Sequence, residues 1–258
     1  MLKEERFVRI RSLLATFTRV STERVARDLG VSRETARRDL LDLETLGALR
    51  RVHGGAVVIG PEPEAPLSVR QRSNPSEKRS IAKAALKLLM PNQTLFLDSG
   101  TTTSILAEEL TTLSGLTVVT NSLSIALKLS KTNTMLASDH SIILLGGRVH
   151  AETQAVYGDI TIGEIHRYKA DVAMLSPVGL DAKHGATSFE HHECEVARAM
   201  STQAMRVVIL ADHSKIGQSS RVSYIARADI DTVVTNSRAR DLQGFTALKL
   251  AGSQIIVA

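Results

Sequence analysis

Two sets of residues in this 258-residue chain have the types and spacing to do chemistry. The first is the run Ser32-Arg33-Glu34-Thr35-Ala36-Arg37-Arg38. Guanidinium forks match phosphate oxygens and guanine edges, and small hydroxyls bond to either, so this is the chemistry of duplex DNA contact. The second set is dispersed: Asp98-Ser99-Gly100-Thr101-Thr102, Thr120-Asn121-Ser122, Gly146-Gly147-Arg148, Val178-Gly179-Leu180-Asp181 and Asp212-His213-Ser214-Lys215. Every one of these segments follows a short apolar run. Hydroxyls, a permissive glycine and free backbone N–H groups at a helix start cradle an anion such as phosphate. The carboxylates, the amide and the lysine suit a polar sugar attached to it.

The elements needed to present the first set are legible around it. Ser21 is a good N-cap, Val25, Ala26 and Leu29 recur at helical spacing, and Gly30 stops that helix. Ser32 caps a second helix with an apolar stripe of Ala36, Leu40, Leu43 and Leu46, ended by Gly47. Ala48 to Arg51 and Ala56 to Ile59 have strand character, with His53-Gly54-Gly55 as the turn between them. This is the pattern of a winged helix-turn-helix over residues 1–59. The expected DNA contacts are Ser32, Arg33, Thr35, Arg37 and Arg38 on the recognition helix, and Arg51 and His53 on the wing. A plain solvated basic face is the other reading. Charge distribution argues against it, because residues 1–60 hold net +4 of the chain's +5.

Bulk properties set limits. With 43% hydrophobic residues the chain can bury one or two sizeable cores. No apolar run approaches the roughly 20 residues a membrane span needs. The charged start MLKEERFVRI lacks a secretory apolar segment, which places the protein in the cytoplasm as an expectation. A lone cysteine, Cys194, excludes an internal disulfide framework, and neither a cofactor nor a metal is expected. With aromatics at 3% and no Trp, base-stacking platforms are disfavoured, which leaves double-stranded DNA as the expected nucleic-acid partner. Four of six prolines, Pro61, Pro63, Pro66 and Pro75, mark residues 60–75 as a stiff linker.

Residues 76–258 alternate helices with short Val/Ile/Leu runs. Ser76 is expected to cap a helix reaching about Met90, with further helices at 102–110, 123–130 and 191–205. Strands are expected at 94–97, 117–120, 141–145, 172–175, 207–211, 232–235 and the C-terminus. The fold class is therefore α/β, with a mostly parallel sheet covered on both faces. In such sheets ligands collect at the carboxyl ends of the strands, where the dispersed segments lie.

The run VSRETARRDLLDLETLGALRRVHGGA resembles the DNA-binding segment of the DeoR family of bacterial transcription regulators. The segments FLDSGTTT, TNS, LLGG, VGLD and DHSK are similar to that family's effector-binding half. The resemblance implies a fold like ribose-5-phosphate isomerase and a phosphorylated sugar or related metabolite as ligand. It implies that Ser99, Gly100, Thr101 and Thr102 hold the phosphate. It assigns the sugar to Asp98, Asn121, Asp181 and Lys215, and the floor to Gly146, Gly147 and Gly179. Two departures stand out. Ser176-Pro177 stiffens the loop before Gly179, and GATSFEHHECEV is unusually rich in reactive side chains. His191 and Glu195 share a helical face, a spacing open to a metal, but adjacent histidines diverge, so contact of His191 or His192 with the ligand is the stronger reading. The expected function is a non-enzymatic repressor of a carbohydrate operon, acting as a homo-oligomer (dimer or tetramer) without membrane contact. The alternative is a sugar-phosphate isomerase-like enzyme with an accessory DNA-binding domain.

Overall fold

The computed structural model describes residues 2–17, 19–52, 54–57, 67–130 and 139–258. It divides into two compact units, Met1–Ala65 and Pro66–Ala258.

The first unit runs α1 (Lys3–Phe17), β1 (Arg19–Ser21), α2 (Thr22–Leu29), α3 (Arg33–Thr45), β2 (Arg50–Val52) and β3 (Gly55–Val57). Ser21 caps α2 by accepting from Arg24 N at 3.1 Å, and Gly30 closes it at φ +65°. Ser32 caps α3 by accepting from Thr35 N at 3.0 Å. The apolar faces of the three helices meet over Ile10, Leu14, Val25, Leu29, Leu40 and Leu43. Leu46, expected on that stripe, is 65% exposed, because α3 ends at Thr45 and Leu46 lies on the turn beyond it. The same helix buries Asp39, a carboxylate gripped by the Arg6 guanidinium of α1 at 2.6 and 2.8 Å. The wing has three antiparallel strands in the order β1-β3-β2, the first of which the sequence pattern did not reveal. At Gly55 a Cβ would run into the Val20 carbonyl, so only glycine allows β1 and β3 to approach this closely. His53, residues 58–59 and the prolines Pro61, Pro63 and Pro66 lie outside the described residues.

The second unit begins with α4 (Leu67–Arg72), so the later part of the stretch expected as linker is helical. Next come α5 (Pro75–Leu86), β4 (Thr94–Leu97), α6 (Thr101–Glu109), β5 (Thr117–Thr120), α7 (Leu123–Ser130) and β6 (Ser141–Leu144). The hairpin β7 (Arg148–His150) and β8 (Ala155–Tyr157) follows, then α8 (Asp159–Ile165) and β9 (Ala170–Leu175). The rest is β10 (Gly179–Asp181), β11 (Gly185–Ser188), α9 (His191–Thr202), β12 (Ala204–Leu210), β13 (Val222–Ile225), β14 (Thr232–Thr235), α10 (Gln243–Leu250) and β15 (Gln254–Val257). Asn74, at φ +50°, and Pro75 start α5, in place of the expected Ser76 cap. The last long helix, α9, stops at Thr202 because β12 starts two residues later.

Seven strands form one parallel sheet in the order β15-β14-β12-β9-β4-β5-β6. Strand side chains alternate between faces, and the burial follows suit. Leu95, Leu97, Val118, Val172, Met174, Val208 and Leu210 join one core with α5 and α6. Phe96, Val119, Ala173, Leu175, Val207 and Ile209 join the other with α8 and α9. Both faces are therefore covered, which is why the strands read as unbroken apolar runs. Successive crossovers run outward in opposite directions from the β4–β9 pair. That pair is the topological switch point.

The two ends of α3 give a stability contrast. Leu43→Ala empties a fully buried site and is expected to cost about 2–5 kcal/mol, whereas Leu46→Ala changes stability by under about 0.5 kcal/mol. Urea unfolding of the full chain checks this; equal losses in both variants would contradict the exposure of Leu46.

Candidate functional site

The first unit presents a concave surface between the start of α3 and the wing, lined in part by Thr22, Arg33, Glu34, Arg37, Arg51 and Gly54. Arg33 and Arg37 are exposed on it, and Arg38 is exposed on the same helix outside this lining. Arg33 forms an ion pair with Glu23 of α2, and Arg38 lies 3.6 Å from Glu34 one turn back. Arg51 donates its backbone N–H to Glu44 at 2.7 Å. Arg37 has no ion pair among the described residues. Ser32 Oγ caps the helix and lies 2.8 Å from Thr35 Oγ1, so these two hydroxyls engage each other. Exposed pairs of this kind contribute little stability and open readily for a polyanion. The arrangement is a basic helix start beside a narrow hairpin, with a carboxylate beside Arg33, Arg38 and Arg51.

The second unit opens a pocket at the switch point. Its lining includes Asp98 and Ser99 after β4, Asn121 after β5, Ser176 after β9, and Ser188, Glu193 and Tyr224 from β11, α9 and β13. Across the switch, Asp98 Oδ2 accepts from Ser176 N at 3.0 Å. Gly100 caps α6 in extended conformation, φ −166°, so no left-handed geometry is needed there. Space is the constraint instead, since a Cβ would sit 3.0 Å from Thr103 Oγ1 and 3.1 Å from Ser176 Cβ. Thr101 and Thr102 are buried at the first turn of α6. Asn121 is locked to the β7–β8 hairpin: its carbonyl accepts from Val156 N at 2.8 Å and its Nδ2 donates to Val156 O at 3.2 Å.

Other expected site residues are placed differently. Gly146 and Gly147 pack on α8, where Gly146 N donates to Glu164 Oε2 at 2.6 Å and Thr161 Oγ1 donates to Gly146 O at 2.7 Å. A Cβ on Gly179 would lie 2.5 Å from the Gln218 carbonyl, so its smallness admits backbone from the next loop. Asp181 ties its own turn, accepting from Lys183 N at 2.8 Å, His184 N at 2.6 Å and pairing with the His184 ring at 2.9 Å. Lys215 belongs to a short turn after β12 that Asp212 caps through Ser214 N. None of these lines the pocket, and neither do Gly100, Thr101 and Thr102.

Ser176, Ser188, Glu193 and Tyr224 were not expected to line it, although the HHEC stretch signalled its neighbourhood. Glu193 accepts from Ser188 Oγ at 3.1 Å, and burial pushes its carboxyl above the usual carboxylate range. His191 is exposed. The His192 ring stacks near His150 at 5.6 Å and Tyr157 at 4.4 Å, and burial holds its imidazole below its ordinary value. Cys194 is buried, its thiol pushed up to about 11, which makes it a poor nucleophile. Glu195 faces Arg198 at 3.6 Å, and no group of three potential metal ligands occurs among the described residues.

Residues 73–237 match the DeoR C terminal sensor domain, and residues 6–62 match the DeoR-like helix-turn-helix domain. The chain belongs to the DeoR family. Among DeoR-type relatives, the HTH-type transcriptional repressor GlcR of Bacillus subtilis is 35% identical over 92% of this chain and 89% of its own length. The glycerol-3-phosphate regulon repressor of Escherichia coli is 32% identical, covering 84% of each. The regulator GolR of Listeria innocua is 34% identical over 92% of each. Among solved structures, ribose 5-phosphate isomerase A of Methanocaldococcus jannaschii aligns over 55% of each chain at 15% identity, with a TM-score of 0.39. No helix among the described residues is long and apolar enough to cross a membrane.

The DeoR-type pocket carries a pH signature. Because folding raises the Glu193 pKa, its contribution favours the fold below the unfolded value of 4.5 and is lost as pH rises through the folded one. Glu193→Gln removes that loss, so the variant is expected to gain stability on the parent as pH rises from 4.5 toward neutrality. The difference between the two stability–pH curves isolates Glu193 from His192; parallel curves would mean its carboxyl is not perturbed.

Proposed function

We propose that this chain is a transcriptional repressor whose first unit binds operator DNA and whose second unit binds a phosphorylated sugar or related metabolite that changes operator affinity. The observation that carries the reading is the pairing of two separate devices in one chain. One is an exposed arginine face on α3 beside a wing; the other is a polar pocket at the switch point of a parallel sheet. The names of the relatives support it, since the Bacillus and Escherichia proteins are both called repressors and the latter is named for a glycerol phosphate regulon. The start of α6, with Gly100 as cap and Thr101 and Thr102 in its first turn, suits the phosphate.

A sensor rather than an enzyme fits the side-chain placement. Isomerase chemistry asks for a carboxylate and a cation converging on two carbons. Asp181 is committed to its own turn and Lys215 does not line the pocket, so the three groups Asp98, Asp181 and Lys215 do not form such a set. A single recognition helix spans too few base pairs for genomic specificity, so two heads must act together in a dimer or tetramer. Reading operators places the protein with the chromosome in the cytoplasm.

Fluorescence anisotropy at fixed salt, using duplexes the parent selects from genomic DNA, tests the head. Arg37→Ala is expected to weaken operator binding by about 1–3 kcal/mol, roughly five- to 160-fold, while calorimetric titration with sugar phosphates is unchanged. Undiminished affinity would remove α3 from the groove. Turnover of glucose 6-phosphate or ribose 5-phosphate by the parent, followed by NMR, would make the protein an enzyme.

A further inference from the structure

The switch-point pocket has a chemical polarity that narrows its ligand, an inference that rests on the effector reading above. Asn121 is only 5% exposed, and its Nδ2 is committed to the Val156 carbonyl. That bond fixes the amide orientation and leaves Oδ1 as a buried acceptor with no hydrogen-bond partner among the described residues, on a side chain that lines the pocket. A buried amide oxygen in this state is costly until something donates to it. Two carboxylates, Asp98 and Glu193, share the lining, and Glu193 already draws the Ser188 hydroxyl to 3.1 Å. No Lys or Arg lines the pocket among the described residues. The lining thus offers acceptors and negative charge, with donors only from hydroxyls and backbone.

We propose that this pocket takes the uncharged, hydroxyl-bearing end of a phosphorylated polyol or sugar, and that Glu193, with Asp98, excludes ligands ending in a carboxylate. A ligand C–OH donates to Asn121 Oδ1 and to either carboxylate, satisfying the orphaned oxygen. A carboxylate placed there brings acceptors alone and sets a third negative charge beside two others. The phosphate belongs at the other end of the ligand, at the first turn of α6, whose Gly100 cap makes no side-chain hydrogen bond and leaves the helix N-terminus to an anion. Arg70 lies close enough to act electrostatically on Glu193, but it is not part of the lining.

Matched probe pairs test this on the full-length protein by calorimetry at pH 7.5. The pairs are glycerol 3-phosphate with 3-phosphoglycerate, and sorbitol 6-phosphate with 6-phosphogluconate, each differing by CH2OH against COO− at one end. The alcohol of at least one pair is expected to bind, with its acid partner at least about tenfold weaker. Glu193→Gln should narrow that gap by strengthening the acid. An acid that binds the parent as tightly as its alcohol overturns the inference while leaving an effector pocket in place. An unchanged gap in folded Glu193→Gln removes the role given to Glu193. If neither these probes nor glucose 6-phosphate bind, the effector reading falls and takes the inference with it. The parent comparison decides the ligand class even if the variant does not fold.

Discussion

Where strand order reverses between β4 and β9, the two strands leave the sheet toward opposite sides and their last backbone groups lose their ladder partners. Buried N–H groups must be satisfied by something. In this protein the Asp98 carboxylate does it, accepting from Ser176 N at 3.0 Å across the gap. One interaction therefore bridges the two strand ends beyond their ladder, holds the loop after β9, and places a carboxylate in the crevice that such a switch point forms. The pocket's composition follows. With a carboxylate already required for structure, the chain adds hydroxyls from Ser99, Ser176 and Ser188 to the lining, beside the apolar Val196 and Ala197. Gly100 is favoured for the same reason, since Ser176 is held so near that a Cβ there would press on it at 3.1 Å.

The strands of that sheet were legible because burial on both faces leaves a simple trace, a short run of Val, Ile and Leu bounded by polar residues. All seven runs became strands of one parallel sheet. The two helices flanking Gly30 were legible from their caps, Ser21 and Ser32, which the structure uses as expected. What escaped was everything whose stability comes from distant partners. The wing strand β1, three residues long, exists because β3 pairs with it, and α1 is anchored through Arg6 on Asp39, 33 residues away. Leu46 matched the periodicity but lay one residue past the helix, where period no longer governs direction.

The candidate site was legible to a smaller degree, for an instructive reason. Residues directly after β4 and β5 line the pocket because strand ends point there by construction. Asp181 and the pair Gly146-Gly147 share the same sequence signature, a small or acidic residue after an apolar run. Short local hydrogen bonds claim them first: to the 183–184 turn in one case and to Thr161 and Glu164 in the other. Glu193, by contrast, lies on a helix and reaches the pocket only because α9 packs against β11 and β13. No local pattern marks a carboxylate of that kind; its half-buried position and bond to Ser188 do.

Coupling between an occupied pocket and a DNA head requires that the ligand prefer one arrangement of the chain over another. The residues where the connector joins the second unit lie on the covalent route between pocket and head. They are not loosely attached. Lys78, buried on α5, donates to the Arg70 carbonyl at 2.6 Å and so fastens the end of α4. Asn74 donates to Asp212 Oδ1 at 3.1 Å, tying the α4–α5 junction to the loop after β12. Asp212 also accepts from Ser214 N at 2.9 Å and Ser214 Oγ at 2.6 Å, so one carboxylate serves the junction and its own turn at once. A shift of that turn cannot leave Asn74 in place without breaking one of these bonds. A buried hydrogen bond to a charged group is worth about 1.5–3 kcal/mol, the scale of a typical coupling free energy. The bonds at the junction are thus of the strength that a ligand's preference between two arrangements can offset.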